Sequence, residues 1–319
     1  MGVTRIIVGA HAINEGHHMY LFPNPLPDRW SFHPHLLATL AGQFLTHMAA
    51  PSKHNEKIWD QLVQNDVLCS RPNWNLTPET ARQSLPRRHW YGEDRVGKHV
   101  LCLACGGGQQ SIAFALLGAK VTVVDFSAEQ LKKDQQAAEH YGISLRIVKA
   151  DMRDLSMFAS EEFDLVYQPY SINYVPAVKE VFDEVVRILK PGGIYDLMFH
   201  NPYVHGSWKD GSWGSRWEQA ELWQGKGYPL WQPYRDGHPI QTQDPHWNFE
   251  NLADEAVQIE SPQEYRHTMT AILNGLLGRG MELLHFQEEV GTIDKAEPGT
   301  WDHYQSIAPP WLFVVGRKR

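Results

Sequence analysis

The sequence predicts an α/β fold: a mostly parallel sheet with helices on both faces. Three observations carry this. A short apolar run, Val100 to Ala104, is followed by Cys105-Gly106-Gly107-Gly108 and then by a helical pattern over Gln109 to Leu117. After Gly118 a β-branched run, Val121-Thr122-Val123-Val124, closes on Asp125. Further strand-like and helix-like segments then alternate to the end of the chain, the pattern expected of βαβ units.

Composition narrows the class. With 319 residues and 42% apolar content, the chain can bury one large core or a core with insertions. A net charge of −8 argues against a protein that lives on nucleic acid, whose affinity rests on clustered Lys and Arg. The three cysteines, Cys69, Cys102 and Cys105, have no paired metal spacing and fit a reducing, cytoplasmic setting without disulfides. No apolar run reaches the roughly 20 residues of a membrane span, so a soluble protein without a membrane partner is expected.

Residues 1–53 are expected to form an N-terminal extension, with proline-marked irregular sequence, a helical pattern from about Pro34 to Met48, and a scatter of histidines read as uneven composition rather than a metal site. Met48 resembles an ordinary start, so the residues before it are expected to be upstream sequence. Residues 54–319 are expected to form the main domain. Ile58, Trp59, Leu62 and Val63 share one face of a helix from about Asn55 to Gln64. Thr77-Pro78-Glu79-Thr80 reads as a helix start, with Thr at the cap and Pro in the first turn. Trp59, Arg71 and Tyr91 are candidate ligand contacts in this approach segment.

The glycine turn is where chemistry is expected. Glycines without Cβ allow a ligand close to the backbone, and the N–H groups opening the next helix favour negative charge. A carboxylate at the tip of the second strand is placed to accept hydrogen bonds from a ribose diol. Together these predict a nucleoside-containing ligand. Ser127-Ala128-Glu129-Gln130 is a capping box for a helix running to about Tyr141, with Gly142 beyond it. Leu145 to Val148 is the third strand, followed by Asp151 and Met152. Phe163 to Tyr167 is the fourth, and Gln168-Pro169-Tyr170-Ser171-Ile172-Asn173-Tyr174 follows as a loop at the ligand-bearing end of the sheet. A helix from Pro176 buries Val178, Val181, Phe182, Val185 and Val186. It ends at Leu189-Lys190-Pro191-Gly192-Gly193, a turn into a strand over Ile194 to Phe199.

These motifs resemble those of the class I S-adenosylmethionine-dependent methyltransferases. VLCLACGGG is similar to their first motif, an apolar run, an acid and GxGxG, with Cys102 in place of the acid and Ala104 in place of the first glycine. Gly106-x-Gly108-x-x-Ser111 is also close to the glycine pattern of nicotinamide and flavin folds, but those have no matching need for an acid at Asp151, and the phrase LKPGG is typical of the methyltransferases. The resemblance implies a Rossmann-like sheet of seven strands in the order 3-2-1-4-5-7-6. It implies S-adenosylmethionine held by Ala104, Gly106, Gly108, Asp125, Phe126, Asp151, Met152 and Gln168, with Asp151 and Met152 at the adenine.

Residues 200–260 exceed the minimal fold and are expected to be a substrate-side insertion. Six of the chain's twelve tryptophans fall in it: Trp208, Trp213, Trp217, Trp223, Trp231 and Trp247. Such a long irregular segment is usually a lid or binding loop, and its aromatic rings suit a small-molecule acceptor or a private core for the insertion itself. Ser261-Pro262-Gln263-Glu264 reads as a capping box for a helix burying Ile272, Leu273, Leu276 and Leu277. Strands over Met281 to Phe286 and Trp311 to Val315 close the sheet. A hydroxyl acceptor needs a base, and His200, His267 and Tyr170 are the candidate catalytic residues, His200 first because it ends the fifth strand. The expected function is methyl transfer to a small molecule. A cofactor-binding protein without turnover, and a nucleic-acid methyltransferase, are the alternatives.

Overall fold

The computed structural model describes residues 52–85, 95–205, 230, 233–240, 259–291, 296–298 and 300–319, all within the unit Leu45–Arg319. Apart from Ser52 and Lys53, the N-terminal extension lies outside the described residues, as do Tyr91 and the six tryptophans of the insertion.

Seven strands form the main sheet: β1 (His99–Leu103), β2 (Lys120–Asp125), β3 (Arg146–Lys149), β4 (Phe163–Gln168), β5 (Leu189–His200), β8 (Met281–Glu288) and β9 (Trp311–Lys318). Their order is β3-β2-β1-β4-β5-β9-β8, the arrangement expected, with β1 to β5 parallel and β9 antiparallel to both of its neighbours. Among the described residues, seven α-helices accompany the strands: α1 over residues 52–64, α2 (Pro78–Ser84), α3 (Gln110–Leu116), α4 (Ala128–Tyr141), α5 (Val178–Ile188), α6 (Met269–Leu277) and α7 (Trp301–Ile307).

The period-two alternation of β1 explains why both faces are covered. Leu101 and Leu103 join one core with Val166, Phe182, Val185 and Ile272, under α5 and α6. Val100 and Cys102 point the other way and join Ile112, Phe114, Ala137 and Leu165, under α3 and α4. Strands buried on both faces read as continuous apolar runs, which is why the β1, β2 and β4 segments show so clearly in the sequence. Cys102, standing where the resembled motif has an acid, is fully buried in this core.

Local signals place the helices. Thr77 caps α2 in a reciprocal box with Thr80. Ser127 accepts the Gln130 N–H at 3.1 Å, half of the predicted box; the Ser127 N–H goes instead to Asp125 Oδ1 at 2.9 Å. The Leu189-Lys190-Pro191-Gly192-Gly193 turn is a bulge inside β5: pairing jumps from Phe163↔Leu189 to Leu165↔Ile194.

One predicted element is corrected. The helix expected from Ser261 begins at Met269, capped by Thr268, and Glu264–Arg266 is instead a strand, β7. β7 pairs antiparallel with β6 (His238–Ile240) in a small second sheet. Two buried asparagines hold it extended: Asn55 accepts the Gln263 N–H at 2.7 Å, and Asn173 donates to the Tyr265 carbonyl at 3.0 Å. Leu277, predicted inward, is 48% exposed, while Ile272 and Leu276 of the same helix are buried. Among the described residues, no helix is long and apolar enough to cross a membrane.

Candidate active site

The cleft lies where the carboxyl ends of β1, β2 and β4 meet the loops that follow them, as the switch-point rule requires. It is lined by Ala104, Gly106, Asp125, Phe126, Gln130, Tyr170, Tyr174 and Met198 from the sheet side, and by Trp59 from α1.

The glycine turn is held in shape by two carboxylates. Asp125 Oδ2 accepts the Gly106 N–H at 3.1 Å while its other oxygen takes the Ser127 N–H. Asp134, on α4, accepts from Gly107 N–H at 2.9 Å, Gly108 N–H at 3.1 Å and the Ser111 hydroxyl at 2.5 Å. Burial pushes the Asp125 carboxyl up to about 6, against the lowering effect of its backbone bonds. Burial likewise pushes Asp134 up to about 7. Ala104 adopts a left-handed conformation, φ 47°, where the resembled motif has glycine.

The turn fits a ligand pressed against its backbone. A Cβ on Gly106 would fall 2.6 Å from Gln130 Cβ and 3.1 Å from Asp125 Oδ2, so only glycine leaves the approach open. Gln130 Oε1, buried on the same wall, has no hydrogen-bond partner among the described residues. An unsatisfied buried acceptor beside a carboxylate suits a hydroxyl-rich ligand such as a ribose.

Other expected contacts are less open. Gly108 presents its N–H to Asp134, away from the cleft. Met152 is buried, and Gln168 Nε2 reaches its sulfur at 3.3 Å and the Ser171 hydroxyl at 3.0 Å, while Tyr195 donates to Gln168 Oε1 at 2.5 Å. Asp151 accepts from the Arg153 N–H and Nε at 2.9 Å each, from Arg153 Nη2 at 2.7 Å and from Ser52 at 2.9 Å. Those bonds fill the acceptor capacity of a carboxylate. They also hold Asp151 below its usual range, with burial opposing.

The candidate catalytic residues separate. Tyr170 lines the cleft. His200 stands behind it, ring centroids 6.2 Å apart, with Nδ1 3.1 Å from the Asn201 carbonyl; burial drives its imidazole well below the usual range. His267 bonds the Val175 carbonyl at 2.9 Å and lies 3.6 Å from Asp236, tying β7 to the loop after β4. Sequence reasoning missed Asp134, Asp60, His205 and Glu264. Asp134 had a signal, since it shares a helical stripe with Leu131, Ala137 and Ala138. Asp60 accepts the Ser127 hydroxyl at 2.6 Å and the Glu129 N–H at 3.2 Å, joining α1 to the start of α4. His205 and Glu264 are 59 residues apart in the chain, so no local pattern links them.

This sheet order and a glycine turn facing a strand-end acid define an α/β protein that binds a nucleoside cofactor. The comparisons carry it further. Residues 101–196 match the family model described as methyltransferase domain. The chain is 30% identical over 256 residues to the uncharacterized methyltransferase YbaJ of Bacillus subtilis, covering 76% of this chain and 92% of that one. It is 35% identical over 123 residues to a ubiquinone biosynthesis O-methyltransferase of Pseudomonas syringae pv. tomato, covering 37% of this chain and 53% of that one. In fold it is similar to an S-adenosylmethionine-dependent methyltransferase of Mesorhizobium loti, with TM-score 0.51 and 22% identity over 77% of this chain and all of that one. The chain belongs to the class I S-adenosylmethionine-dependent methyltransferases. Its cofactor is S-adenosylmethionine.

Proposed function

We propose that this methyltransferase acts on a small organic acceptor bound in the aromatic cleft beside the cofactor. The observation that carries the reading is the lining itself: Trp59, Phe126, Tyr170, Tyr174 and Met198 surround a narrow cleft rather than an open basic groove. The net charge of −8 points the same way, and the relative named for ubiquinone biosynthesis supports an organic acceptor. Residues 200–260 complete the acceptor side in this reading, as an insertion in the domain 54–319.

The cofactor contacts follow the resemblance. Asp125 takes the ribose hydroxyls, with Gly106, Ala104 and Gly108 forming the turn beneath, and Phe126 packs beside it. Asp151, Met152 and Gln168 border the adenine, and the Ser52 hydroxyl gives way at Asp151. When bound, S-adenosylmethionine supplies a methyl group on a sulfonium for in-line displacement. The chain's own residues orient the acceptor and exclude water, an effect that can lower a barrier by about 7–11 kcal/mol. Tyr170, with His200 behind it, and His267 are assigned the proton side of the reaction in this reading.

Calorimetric titration with S-adenosylhomocysteine, with NADH in parallel, tests the cofactor site. We expect binding of the first alone and a loss of about tenfold or more in Asp125→Ala, the cost of one charge-assisted hydrogen-bond pair. Equal affinity in wild type and Asp125→Ala would remove Asp125 from the site.

A further inference from the structure

Beside the cleft, a second cavity of about 660 Å³ opens between the loop over residues 69–76, the end of α2 and the start of α3. The two share Cys69, Gln109 and Gln110, so they adjoin along one wall. The cleft itself encloses about 220 Å³. Ligand pockets usually run to about 300–1,000 Å³, so a cofactor and an acceptor together need the adjoining room.

The wall of this cavity is built in advance of any ligand. Gln109 Nε2 donates to the Cys69 carbonyl at 3.1 Å and to the Arg71 carbonyl at 2.9 Å, tying the loop to the start of α3. At the far end of the loop, the Tyr141 hydroxyl donates to the Asn73 carbonyl and accepts the Leu76 N–H, each at 2.7 Å. A Cβ on Gly108 would fall 3.4 Å from Pro72 Cβ, and one on Gly107 3.6 Å from the Ser70 backbone, so the loop is pressed on the glycine turn. A wall held this way has little freedom left to lose on binding.

Its chemistry is one cation among amides and apolar surface. Arg71 is the single charged residue among the described residues that line the cavity. Its Nε is taken by Asp66, through the backbone carbonyl at 2.8 Å and Oδ2 at 3.1 Å. The two Nη groups, a pair of donors that matches a carboxylate, make no hydrogen bond among the described residues. Asp66 also accepts from Lys133 Nζ at 3.3 Å, so one carboxylate stands between two cations and a positive charge is left over. Pro72, Leu76 and Trp74, the last 43% exposed, supply an apolar wall beside it.

We propose that this cavity holds the carboxylate of an organic acid acceptor, and that Arg71 is the residue that selects it. This rests on the reading of the cleft as the site of a small organic acceptor. The acid group sits on the Arg71 Nη pair, the apolar body lies along Trp74, and the rest of the molecule passes Cys69 and Gln109 toward the cofactor. Arg71 binds and takes no part in the transfer. The cofactor has a carboxylate of its own, and the experiment separates the two sources.

The test is calorimetric titration of the full chain, saturated with S-adenosylhomocysteine, with two acid–amide pairs. These are 4-hydroxybenzoate with 4-hydroxybenzamide, and phenylacetate with phenylacetamide. We expect each acid to bind wild type about tenfold or more tightly than its amide, the worth of one charge-assisted hydrogen-bond pair. Arg71→Met should remove that preference, and Arg71→Lys, which keeps the charge, should retain part of it. Trp74→Ala should weaken acid and amide alike, by about threefold or more, and no change there would remove the apolar wall from the proposal. S-adenosylhomocysteine should bind wild type and both Arg71 variants within about twofold. An acid preference that survives Arg71→Met overturns the proposal. So does a loss of about tenfold in S-adenosylhomocysteine affinity in that variant, which would give Arg71 to the cofactor's carboxylate. Equal binding of acid and amide by wild type overturns the carboxylate site and leaves the small acceptor standing. Binding of none of the four probes would bring down the small-acceptor reading as well.

Discussion

Ala104 is the plainest single-residue signature of this site. Its left-handed backbone, φ 47°, follows from β1 ending one residue earlier and the chain turning at once into the glycines. An L-residue there costs roughly 1–2 kcal/mol, so Ala104→Gly should stabilise the protein by about 1 kcal/mol, read as a rise in the urea midpoint. No rise would mean that the Ala104 side chain contributes packing of equal size. Asp134 makes the opposite kind of contribution. Asparagine offers one acceptor oxygen in place of two, and its amide would face the N–H of Gly107 or Gly108. Asp134→Asn should therefore cost about 1–3 kcal/mol and weaken S-adenosylhomocysteine binding about tenfold, since the turn relaxes. Full affinity in that variant would show that the turn holds without Asp134.

Elements are joined at this cleft by side chains, not by sheet hydrogen bonds. Helix α1 reaches α4 through Asp60, which caps the Ser127 hydroxyl and the Glu129 N–H, and it reaches β7 through Asn55. Trp59, between those two anchors, is thereby held at the cleft. Asp60→Ala should cost about 1 kcal/mol, a typical cap, and should shift the emission of Trp59 toward that of exposed indole. An unaltered spectrum with unaltered stability would show that Asn55 alone fixes the helix. The glycine-rich bulge in β5 works differently: it lies at the opposite end of the sheet, where Lys190 pairs with Asp164 at 2.7 Å.

The buried ionisable groups of the whole molecule set its stability against pH. Asp134 and Glu264 bind protons more tightly folded than unfolded, up to about 7, and Asp125 up to about 6. Each raised acid lowers stability as pH climbs through its interval. His200 and His205, held neutral by burial, act in reverse and lose stability as pH falls below 6.5. Above pH 6.5 the unfolded histidines lose their remaining charge and their opposing contribution fades, so Tm should fall from there to about pH 8 as the two acids ionise. Between about pH 5 and 6.5 the two histidines oppose the three acids, so the fall with rising pH should be shallow there. Below about pH 4 the lowered carboxylates Asp151, Asp164 and Glu184 protonate and Tm should drop again. Calorimetry at fixed ionic strength would refute this if Tm rose from pH 6.5 to 8.

By itself the sequence determined the sheet, because strands buried on both faces must read as apolar runs and the turns between them need glycine and caps that are visible locally. It also put Gly106 beside Asp125, since a single βαβ unit brings them together whatever the rest of the chain does. The tertiary structure decided what distance in sequence hides. Glu264 reads locally as a helix cap, yet it sits in a strand because Asn55 and Asn173, remote in the chain, bond the backbone on either side of it. Asp151 reads as an open acceptor, yet Ser52 and Arg153 fill it. Burial and partnership set the chemistry of a carboxylate, and both are properties of the folded chain.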